Sequence, residues 1–263
     1  MSDTSTEAVQ VIKIGGSIIT SKDGDCDFNH AQTNIVGNSL ASFKGSLVIV
    51  HGTGSFGKPP ARNFGYLDGF LSIDRKDVVV RVENLLRTLR LKVLETFIQC
   101  GLPVFGVHVR ELFHSDGSQV YLSTTKPITD LLERGLIPVI SGGFVIDRSG
   151  GFRVYSSDRI ATELAKTLQA SRLIFATDQP GVYSTTAEPV LLDQFYADDL
   201  CHIAENYDDV SNGMKGKLDA AIAAANAGLH TVITDGRSPE NILNFLKGKP
   251  ARGTRIIGNS PIR

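Results

Sequence analysis

A regular alternation of short apolar runs with longer helical patterns constrains the fold of this chain more than any other feature. The apolar runs are rich in β-branched residues and lie at 9–14, 46–51, 102–107, 136–141, 172–177 and 230–235. Runs of this length, bounded by glycine or polar residues, are typical of buried strands. Helical patterns occupy residues 75–101, 157–170 and 216–228. Buried strands that alternate with helices predict an α/β protein with a largely parallel sheet.

The sequence shows no boundary between independent domains. Its 263 residues suit one large domain or two small lobes, and neither an internal repeat nor a low-complexity linker divides them. We therefore predict a single domain over 1–263, with approximate lobes at 1–170 and 171–263. The segment 137–155 is predicted to form a strand followed by a hairpin, which would make the sheet mixed.

The composition argues against a large charged partner. The formal net charge is -1 and 41% of the residues are hydrophobic, so the chain as a whole does not attract nucleic acid or an anionic membrane. No apolar run reaches the roughly 18 residues of a membrane helix, and the polar N-terminus does not resemble a signal peptide. The widely spaced Cys26, Cys100 and Cys201 indicate reduced thiols rather than disulfides or a zinc site. We expect a cytoplasmic protein.

The stretch HGTGSFGKPP at residues 51–60 fits two phosphate-loop patterns and completes neither. Gly52, Gly54 and Gly57 give the G-x-G-x-x-G of dinucleotide-binding proteins, but two prolines follow where a long crossover helix should begin. The same loop with Lys58 gives most of a Walker A motif, but Pro59 stands where a Ser or Thr hydroxyl would hold magnesium. A dehydrogenase and a P-loop enzyme are both disfavoured, and a plain glycine turn at a strand end is the remaining alternative for this loop taken alone.

Other segments place glycine beside positive charge where predicted strands end or helices begin. KIGGS (13–17) ends the first strand and Lys22 follows it, while TDQPGVY (177–183) ends a later strand. GMKGK (213–217) precedes the alanine-rich helix, and Asp158 stands at the start of another helix. Strand-end glycines and helix N-termini present backbone N–H groups to anions, and lysines add charge. These loops together predict a phosphate-binding site.

Taken in order, KIGGS, the glycine loop, TDQPGVY and GMKGK resemble the amino acid kinase family over nearly the whole chain. HGTGSFGK is most similar to the branch that contains isopentenyl phosphate kinase and fosfomycin kinase, whose loop reads approximately H-G-G-G-S-F-G-H. Acetylglutamate kinase, aspartokinase and uridylate kinase share the fold but not the G-S-F-G element. The resemblance implies a three-layer α/β/α sandwich around an open, mainly parallel sheet. It also implies an acceptor in the N-terminal lobe, ATP with Mg²⁺ in the C-terminal lobe, and a homodimer.

The resemblance assigns roles to individual residues of this chain. The expected catalytic groups are Lys13, Lys22, Lys58 and Asp158. The residues expected to contact the nucleotide are Lys13, Gly15, Gly16, Ser17, Ser55, Thr177, Asp178, Gly181, Tyr183, Gly213 and Lys217. Those expected to contact the acceptor are Gly54, Ser55, Lys58, Gly142 and Gly143. Asp158 would orient lysines or magnesium, or would simply cap its helix, and no residue is assigned as a metal ligand.

Two positions depart from the pattern of the branch. Lys58 stands where the related enzymes have a histidine that donates a hydrogen bond to the acceptor's phosphate, and Gly143 stands where they usually have an aspartate. Both departures fall on the acceptor side. Because a phosphate or phosphonate acceptor is already anionic near neutral pH, its phosphorylation needs positioned cations rather than a general base. The sequence therefore predicts an ATP-dependent kinase of a small phosphate or phosphonate, and Lys58 makes an acceptor other than isopentenyl phosphate an open alternative.

Two further alternatives stay open at this stage. The same fold could phosphorylate a carboxylate or an alcohol, or the chain could be a non-catalytic nucleotide-binding regulator that lost turnover through Lys58 and Gly143. The phosphate-contacting lysines Lys13, Lys22 and Lys217 argue against the regulator, because a chain without turnover would not need them.

Overall fold

The computed structural model describes residues 8–21, 26–184, 188–199 and 213–259. Its strands are β1 Gln10–Ile14, β2 Leu47–His51, β3 Phe70–Ser72, β4 Val104–Val107, β5 Phe113–Asp116, β6 Gln119–Leu122, β7 Ile137–Ser141, β8 Gly143–Asp147, β9 Gly151–Tyr155, β10 Arg172–Thr177, β11 Gln194–Tyr196, β12 His230–Asp235 and β13 Thr254–Ile257. Its helices are α1 Gly16–Ile19, α2 His30–Ala41, α3 Lys58–Asn63, α4 Lys76–Gln99, α5 Val109–Leu112, α6 Lys126–Leu132, α7 Ser157–Thr167, α8 Gly213–Asn226 and α9 Pro239–Leu246.

The larger sheet has eight strands in the order β11-β13-β12-β10-β1-β2-β7-β4. All of its neighbouring pairs are parallel except β12 with β13. The chain fills one side of β1 with β2, β4 and β7 and then returns to the other side with β10 and β12. In open α/β sheets, ligands bind outside the carboxyl ends of the strands at such a change of direction.

A second sheet of five strands has the order β3-β9-β8-β5-β6. Its pairs are antiparallel except for the single pairing of Ser115 with Asp147 between β5 and β8. The hairpin predicted within 137–155 is formed by β8 and β9, and it belongs to this second sheet. The antiparallel element of the larger sheet is instead β13.

Apolar clusters cover both faces of the larger sheet and give the molecule three layers. Residues of α7 and α8 pack with Val11 and Val50 on one face, and residues of α2, α4 and α9 pack with Ile12 and Ile49 on the other. Because successive side chains of a strand point to opposite faces, Lys13 points to the same face as Val11. The strand therefore directs this lysine toward the layer that contains α7 and α8.

The predicted α/β/α sandwich with a mainly parallel sheet is confirmed. The six predicted strands and three predicted helices are present, with ends that differ by a few residues. One boundary was wrong: α8 begins at Gly213, so Lys215 and Lys217 lie inside the helix rather than before it. The larger sheet contains strands from both sides of residue 170, and the two-lobe division remains a prediction. Over the described ranges, no helix combines the length and the apolar character needed to cross a bilayer.

Candidate active site

The carboxyl ends of four neighbouring strands form the floor of the candidate site. Ile14, His51, Ser141 and Ala176 occupy one row across β1, β2, β7 and β10, because each is paired in register with its neighbour. The segments predicted to contact phosphate follow directly: KIGGS after β1, the glycine loop after β2, Gly142 after β7 and TDQPGVY after β10. Parallel pairing therefore brings together loops that are far apart in the sequence.

The loops after β1 and β2 touch through their backbones. A Cβ atom on Gly16 would lie 2.3 Å from the amide nitrogen of Gly54, and one on Gly54 would lie 2.0 Å from the Thr20 hydroxyl oxygen. Gly54 also has a φ of 48°, which side chains other than glycine rarely adopt. These glycines are required for close approach of two backbones, which the motif alone did not reveal.

Thr20 ties the same two loops together. Its hydroxyl donates to the carbonyl oxygen of Gly16 at 2.8 Å and accepts from the amide of Ser55 at 3.1 Å. Thr20 is buried and was not among the predicted site residues. In the sequence, this role is signalled only by a threonine four residues after Gly16. The local pattern does not show that its hydroxyl bonds to the distant Ser55.

A buried ion-pair cluster lies beside these loops. The Oδ1 atom of Asp158 lies 2.9 Å from the Nζ atom of Lys13 and 3.6 Å from the Nζ atom of Lys217. Lys13 is 4% exposed and Lys217 is 7% exposed. Two buried ammonium groups that share one carboxylate carry a net positive charge, which a bound anion would stabilise.

Proton affinities in this cluster reflect burial and mutual repulsion. Burial and the positive charge of Lys13 lower the pKa of Lys217, Asp158 opposes the shift, and the resulting pKa is about 8. Burial would raise the pKa of Asp158, but the neighbouring ammonium groups of Lys13 and Lys217 hold it below its usual value. Asp158 is therefore ionised at neutral pH, and Lys217 is poised to lose its proton in mildly basic solution.

The position of Asp158 distinguishes between its two predicted roles, orientation of lysines or magnesium and capping of its helix. Ser156 is the N-cap of α7, and its hydroxyl accepts from the amide of Arg159 at 3.3 Å. Asp158 is thus not needed as the helix cap and directs its carboxylate to Lys13 and Lys217. Orientation of the lysines is the role that this geometry supports.

His51 is a buried residue of the site that the sequence analysis did not assign. Its Nδ1 atom lies 2.9 Å from the carbonyl oxygen of Gly52. Burial, against the effect of that hydrogen bond, and the charges of Arg90 and Lys13 together lower the pKa of His51 to about 4. The His51 imidazole is therefore neutral at neutral pH and adds no charge to the site.

The loop after β10 is held by its neighbours. The carbonyl of Thr177 accepts from the amide of Gly236, and the Thr177 hydroxyl donates to Oδ1 of Asp178 at 3.2 Å. A Cβ atom on Gly181 would lie 2.4 Å from the hydroxyl of Thr254. Tyr183 makes a single bridge to Leu191. The predicted nucleotide residues Asp178, Gly181 and Tyr183 thus follow β10, the strand that pairs with the strand of Lys13.

The predicted acceptor residues lie in the loop after β2, at the start of α3 and at the junction of β7 and β8. Lys58 is exposed and begins α3, and Pro59 and Pro60 occupy the first turn of that helix, where missing N–H groups are tolerated. The Gly142 amide donates to the carbonyl of His51 at 3.2 Å. A Cβ atom on Gly143 would contact Val109 and Leu86 at 3.5 and 3.8 Å, so the position usually occupied by an aspartate has an apolar environment here.

The structure brings most of the predicted site residues to one edge of the sheet. Gly15 was predicted to contact the nucleotide, but its amide already donates to the carbonyl of Ala176 at 2.7 Å. Gly16 and Ser17 begin α1, whose first amides have no partner within the helix. The amide of Ser55 is bonded to Thr20, and Gly213 begins α8. Lys22 lies outside the described residues.

Metal-ligating side chains do not converge in the described part of the chain. Across residues 8–21, 26–184, 188–199 and 213–259, no three side chains among His, Cys, Asp and Glu are grouped as they would be around an ion. The one carboxylate at the centre of the site, Asp158, is already paired with two lysines. These residues suit an anion better than a bare cation.

Comparison with known proteins places this chain among kinases. The family model described as "Amino acid kinase family" matches residues 8–235. The chain is 31% identical to the isopentenyl phosphate kinase of Methanothermobacter thermautotrophicus, over 94% of this chain and 98% of that protein. It is 30% identical to the acetylglutamate kinase of Prochlorococcus marinus strain NATL1A, over 94% of this chain and 85% of that protein.

Solved structures give the same result for the fold. X-ray structures of an isopentenyl phosphate kinase superpose with a TM-score of 0.80 at 27% identity, covering 94% of this chain and all of the other. The product complex of the isopentenyl phosphate kinase of T. acidophilum superposes with a TM-score of 0.77 at 24% identity, covering 94% of this chain and 99% of the other.

Proposed function

Because this chain belongs to the amino acid kinase family, we propose that it transfers the γ-phosphoryl group of ATP to the phosphate group of a small organic phosphate. The chain is a phosphotransferase by its relatives, and the acceptor class is our inference. The observation that carries the proposal is the buried cluster of Lys13, Asp158 and Lys217 beside two interlocked glycine loops. Isopentenyl phosphate is the first acceptor to test, because several relatives are named for its kinase.

The cluster suits the charge that phosphoryl transfer develops. Lys13 and Lys217 would lie against the oxygens of the β- and γ-phosphates, with Asp158 fixing both ammonium groups. Gly16 and Ser17 would add backbone amides from the start of α1. Donors that are fixed before the reaction stabilise the transition state without reorganisation. In such an arrangement the protein contributes position and charge rather than covalent chemistry.

The proposed reaction needs no general base. An oxygen of the acceptor phosphate attacks the γ-phosphorus, the bond from that phosphorus to the bridging oxygen breaks, and ADP leaves with the electron pair. The attacking oxygen is already anionic near neutral pH, so no proton must be removed. This agrees with a site whose buried histidine, His51, is neutral and bonded to the backbone.

Lys58 is proposed as the acceptor-side cation. It follows the glycine loop directly and begins α3. An exposed lysine binds a phosphate as a mobile point charge, whereas a histidine donates in a fixed direction. We expect Lys58 to tolerate a wider range of phosphorylated acceptors than a histidine would.

Magnesium is proposed to arrive with ATP. The described residues offer no grouped carboxylates to hold it, and Mg²⁺ commonly keeps several waters while bound by nucleotide phosphates. The metal would neutralise charge on the phosphates, and Asp158 would hold the lysines. The homodimer and the division into an acceptor lobe and a nucleotide lobe also remain proposals from the family resemblance.

A carboxylate acceptor is the second candidate, because an acetylglutamate kinase is 30% identical over 94% of this chain. The G-S-F-G element at residues 54–57 favours the phosphate acceptor. A non-catalytic regulator is disfavoured, since Lys13, Asp158 and Lys217 are assembled as a single buried cluster.

The test is ADP release from MgATP with a panel of acceptors. The panel contains isopentenyl phosphate, dimethylallyl phosphate, fosfomycin, a simple alkyl phosphonate, N-acetylglutamate and glutamate. We expect turnover with at least one phosphate or phosphonate and none with the carboxylates. Turnover confined to a carboxylate would overturn the acceptor class, and the absence of turnover with every acceptor would overturn the kinase proposal.

A further inference from the structure

Two charged residues interrupt the apolar face of α4. The buried residues Val79, Leu86 and Val93 recur on one face of this helix, and Glu83 and Arg90 lie on the same face, three or four residues from them. Their side chains are 23% and 13% exposed. Because this face packs toward the larger sheet, both side chains are directed toward the protein interior rather than toward solvent.

Arg110 of α5 completes an arginine cluster with Glu83 and Arg90. The Oε1 atom of Glu83 lies 2.5 Å from Nη2 of Arg90 and 3.2 Å from Nη1 of Arg110. In the described ranges, Glu83 supplies the only carboxylate within ion-pair distance of either arginine. One carboxylate shared by two guanidinium groups leaves one positive charge. Arg110 makes the longer contact and is 40% exposed, so it is the arginine with donors to spare for a ligand.

The arginine cluster lies near the strand ends of the candidate active site. Burial is the main cause of the lowered pKa values of His51, at the end of β2, and His108, directly after β4, and the charge of Arg90 contributes to both. In the sheet, β7 lies between these two strands, so Arg90 lies near the end of β7, where Gly143 begins β8. The other carboxylate that acts on His108 is the exposed Glu111, which accepts from the His108 amide at 3.2 Å.

Gly143 leaves space for a ligand group beside this cluster. A Cβ atom on Gly143 would meet only ordinary contacts, with Val109 at 3.5 Å and Leu86 at 3.8 Å. Its φ lies outside the left-handed region, so neither the backbone nor a neighbouring atom requires glycine here. Leu86 lies on α4 between the two charged residues, and Val109 precedes Arg110 in α5. The space beside Gly143 is therefore bordered by the helices that carry the arginine cluster.

From this arrangement we infer that the acceptor carries a carboxylate in addition to the phosphate or phosphonate that is phosphorylated, and that Arg110 binds this carboxylate beside Gly143. The inference rests on the proposed kinase function and names the acceptor more closely. An arginine suits this role, because its planar guanidinium can donate two parallel hydrogen bonds to a carboxylate. Glu83 would hold the guanidinium of Arg110 against α4 while Arg90 balances the charge of Glu83.

The backbone limits the length of such an acceptor. A Cβ atom on Gly142 would lie 3.6 Å from Cγ2 of Thr53 in the glycine loop, whereas one on Gly143 would contact α4 and α5. Consecutive α-carbons are about 3.8 Å apart, so a phosphate at the loop and a carboxylate beside Gly143 would be joined by only a few bonds. Phosphoglycolate and phosphonopropionate have this form. Isopentenyl phosphate would instead place a hydrocarbon chain beside the charge of Arg110, which is unfavourable.

The experiment compares acceptors that differ only in the carboxylate. ADP release from MgATP is measured with phosphoglycolate against ethyl phosphate, and with phosphonopropionate against propylphosphonate. Calorimetry measures the binding of the same four compounds to the full chain, which does not depend on turnover. The variants are Arg110→Gln and Arg110→Lys. Arg81→Gln is the matched control, because Arg81 is an exposed arginine of α4 outside its apolar face. Thermal unfolding checks that each variant is folded.

In at least one pair, kcat/KM for the carboxylate compound should exceed that of its analogue about 10-fold or more. Arg110→Gln should lower kcat/KM for that compound about 10- to 100-fold, mainly through KM, and leave the analogue within about twofold of the wild type. Arg110→Lys should recover part of the loss, since it keeps the charge without the planar fork. Arg81→Gln should behave as the wild type.

Equal use of both members of each pair overturns the inference. It is also overturned if Arg110→Gln impairs both members equally, as a purely structural role would, or impairs neither. Turnover of isopentenyl phosphate without turnover of either carboxylate compound overturns the inference and leaves the proposed function intact. The absence of turnover with all of these acceptors overturns the proposed function, whereas carboxylate-dependent binding that is lost in Arg110→Gln would still support this site.

Discussion

Lys13, Asp158 and Lys217 form a buried cluster, whereas Lys58 is an exposed lysine at the start of a short helix. The buried side is set by long elements: β1 supplies Lys13, α7 supplies Asp158 and α8 supplies Lys217. The proposed acceptor side is set by the six-residue helix α3 and the backbone of Gly142 and Gly143. The proposed phosphate-binding side is therefore held by three long elements, and the proposed acceptor side contains the two departures from the expected pattern, Lys58 and Gly143.

The buried cluster and Lys58 differ in how much a substitution disturbs neighbouring charges. A buried cation needs its partners, since an unpaired charge in the interior is costly, so Lys13 and Lys217 cannot change without disturbing Asp158. Lys58 is exposed, so its charge is not held in the interior. We therefore expect substitutions in the cluster to impair use of every acceptor equally and substitutions at Lys58 to discriminate among acceptors.

The largest expected effect is at Lys217. Lys217→Ala should reduce kcat/KM for ATP by roughly 10²- to 10³-fold, because it removes one of the two fixed cations at the phosphates. The KM for ATP should rise while the KM for the acceptor changes little. Steady-state kinetics with each substrate varied in turn measures both parameters. Lys215→Ala is the matched control, since Lys215 is exposed on the same helix, and it should behave as the wild type.

The pH dependence tests the same cluster with a smaller effect. Because the pKa of Lys217 is lowered to about 8, its charge is present below that pH and is lost above it. We expect kcat/KM for ATP to fall above about pH 8, approaching tenfold per pH unit. In Lys217→Arg, if the variant is active, the fall should disappear from this range because arginine stays protonated. A flat wild-type profile to pH 10 would show that Lys217 is not the group that binds the phosphates.

The acceptor side should respond more weakly and more selectively. Lys58→Ala should raise the KM for the acceptor about 5- to 20-fold and leave the KM for ATP within about twofold of the wild type. Lys58→His should narrow the range of accepted phosphates, since a directional donor replaces a point charge. Lys44→Ala, at an exposed lysine before β2, is the control. Unchanged acceptor kinetics in Lys58→Ala would remove this residue from the acceptor site.

The smallest effect on catalysis is expected in the second sheet. Asp147 is buried and accepts from the Ser115 hydroxyl at 2.7 Å and from the Ser149 amide at 2.9 Å. Hydrogen bonds from Ser149 and Ser115 lower the pKa of Asp147 to about 2 against the effect of burial. Asp147→Asn should reduce the free energy of unfolding by roughly 1–3 kcal/mol without changing KM values.

The pH dependence of the Asp147 contribution to the free energy of unfolding gives a second measurement. Its folded pKa is below the unfolded value, so its stabilisation is present above about pH 4 and is lost as the pH falls toward 2. Urea unfolding of the wild type and of Asp147→Asn should therefore converge as the solution is acidified from pH 5. A constant difference between the two proteins across that range would contradict the assignment.

Local pattern predicted the elements that are regular in sequence. The run around Lys13 has strand composition, and the stretch 157–170 begins with Ser and Asp, which are typical of a helix start, so the positions of Lys13 and Asp158 could be predicted. The same applies to the strand that ends at Thr177. Parallel pairing of β1, β2 and β10 brings the ends of these strands to one edge of the sheet. The alternation of strands and helices already predicted this parallel pairing.

Long-range contacts could not be predicted in the same way. The tie between Thr20 and Ser55 joins residues 35 positions apart, and the burial of His51 depends on neighbours from several elements. The start of α8 at Gly213 was missed because glycine is a weak helix former, although it is tolerated at a helix end. Gly54 was recognised as a loop glycine, but its close approach to Gly16 depends on the pairing of two strands.

The nature of the bond formed on the acceptor tests the central claim most directly. Phosphorus NMR of a reaction with MgATP and isopentenyl phosphate, or another accepted monophosphate, identifies the product without any labelled reagent. The account predicts two mutually coupled doublets from a new diphosphate, together with ADP, and the loss of both in Lys217→Ala. A product with phosphate attached to a carboxylate or to a carbon-bound hydroxyl, and no new diphosphate, would contradict it.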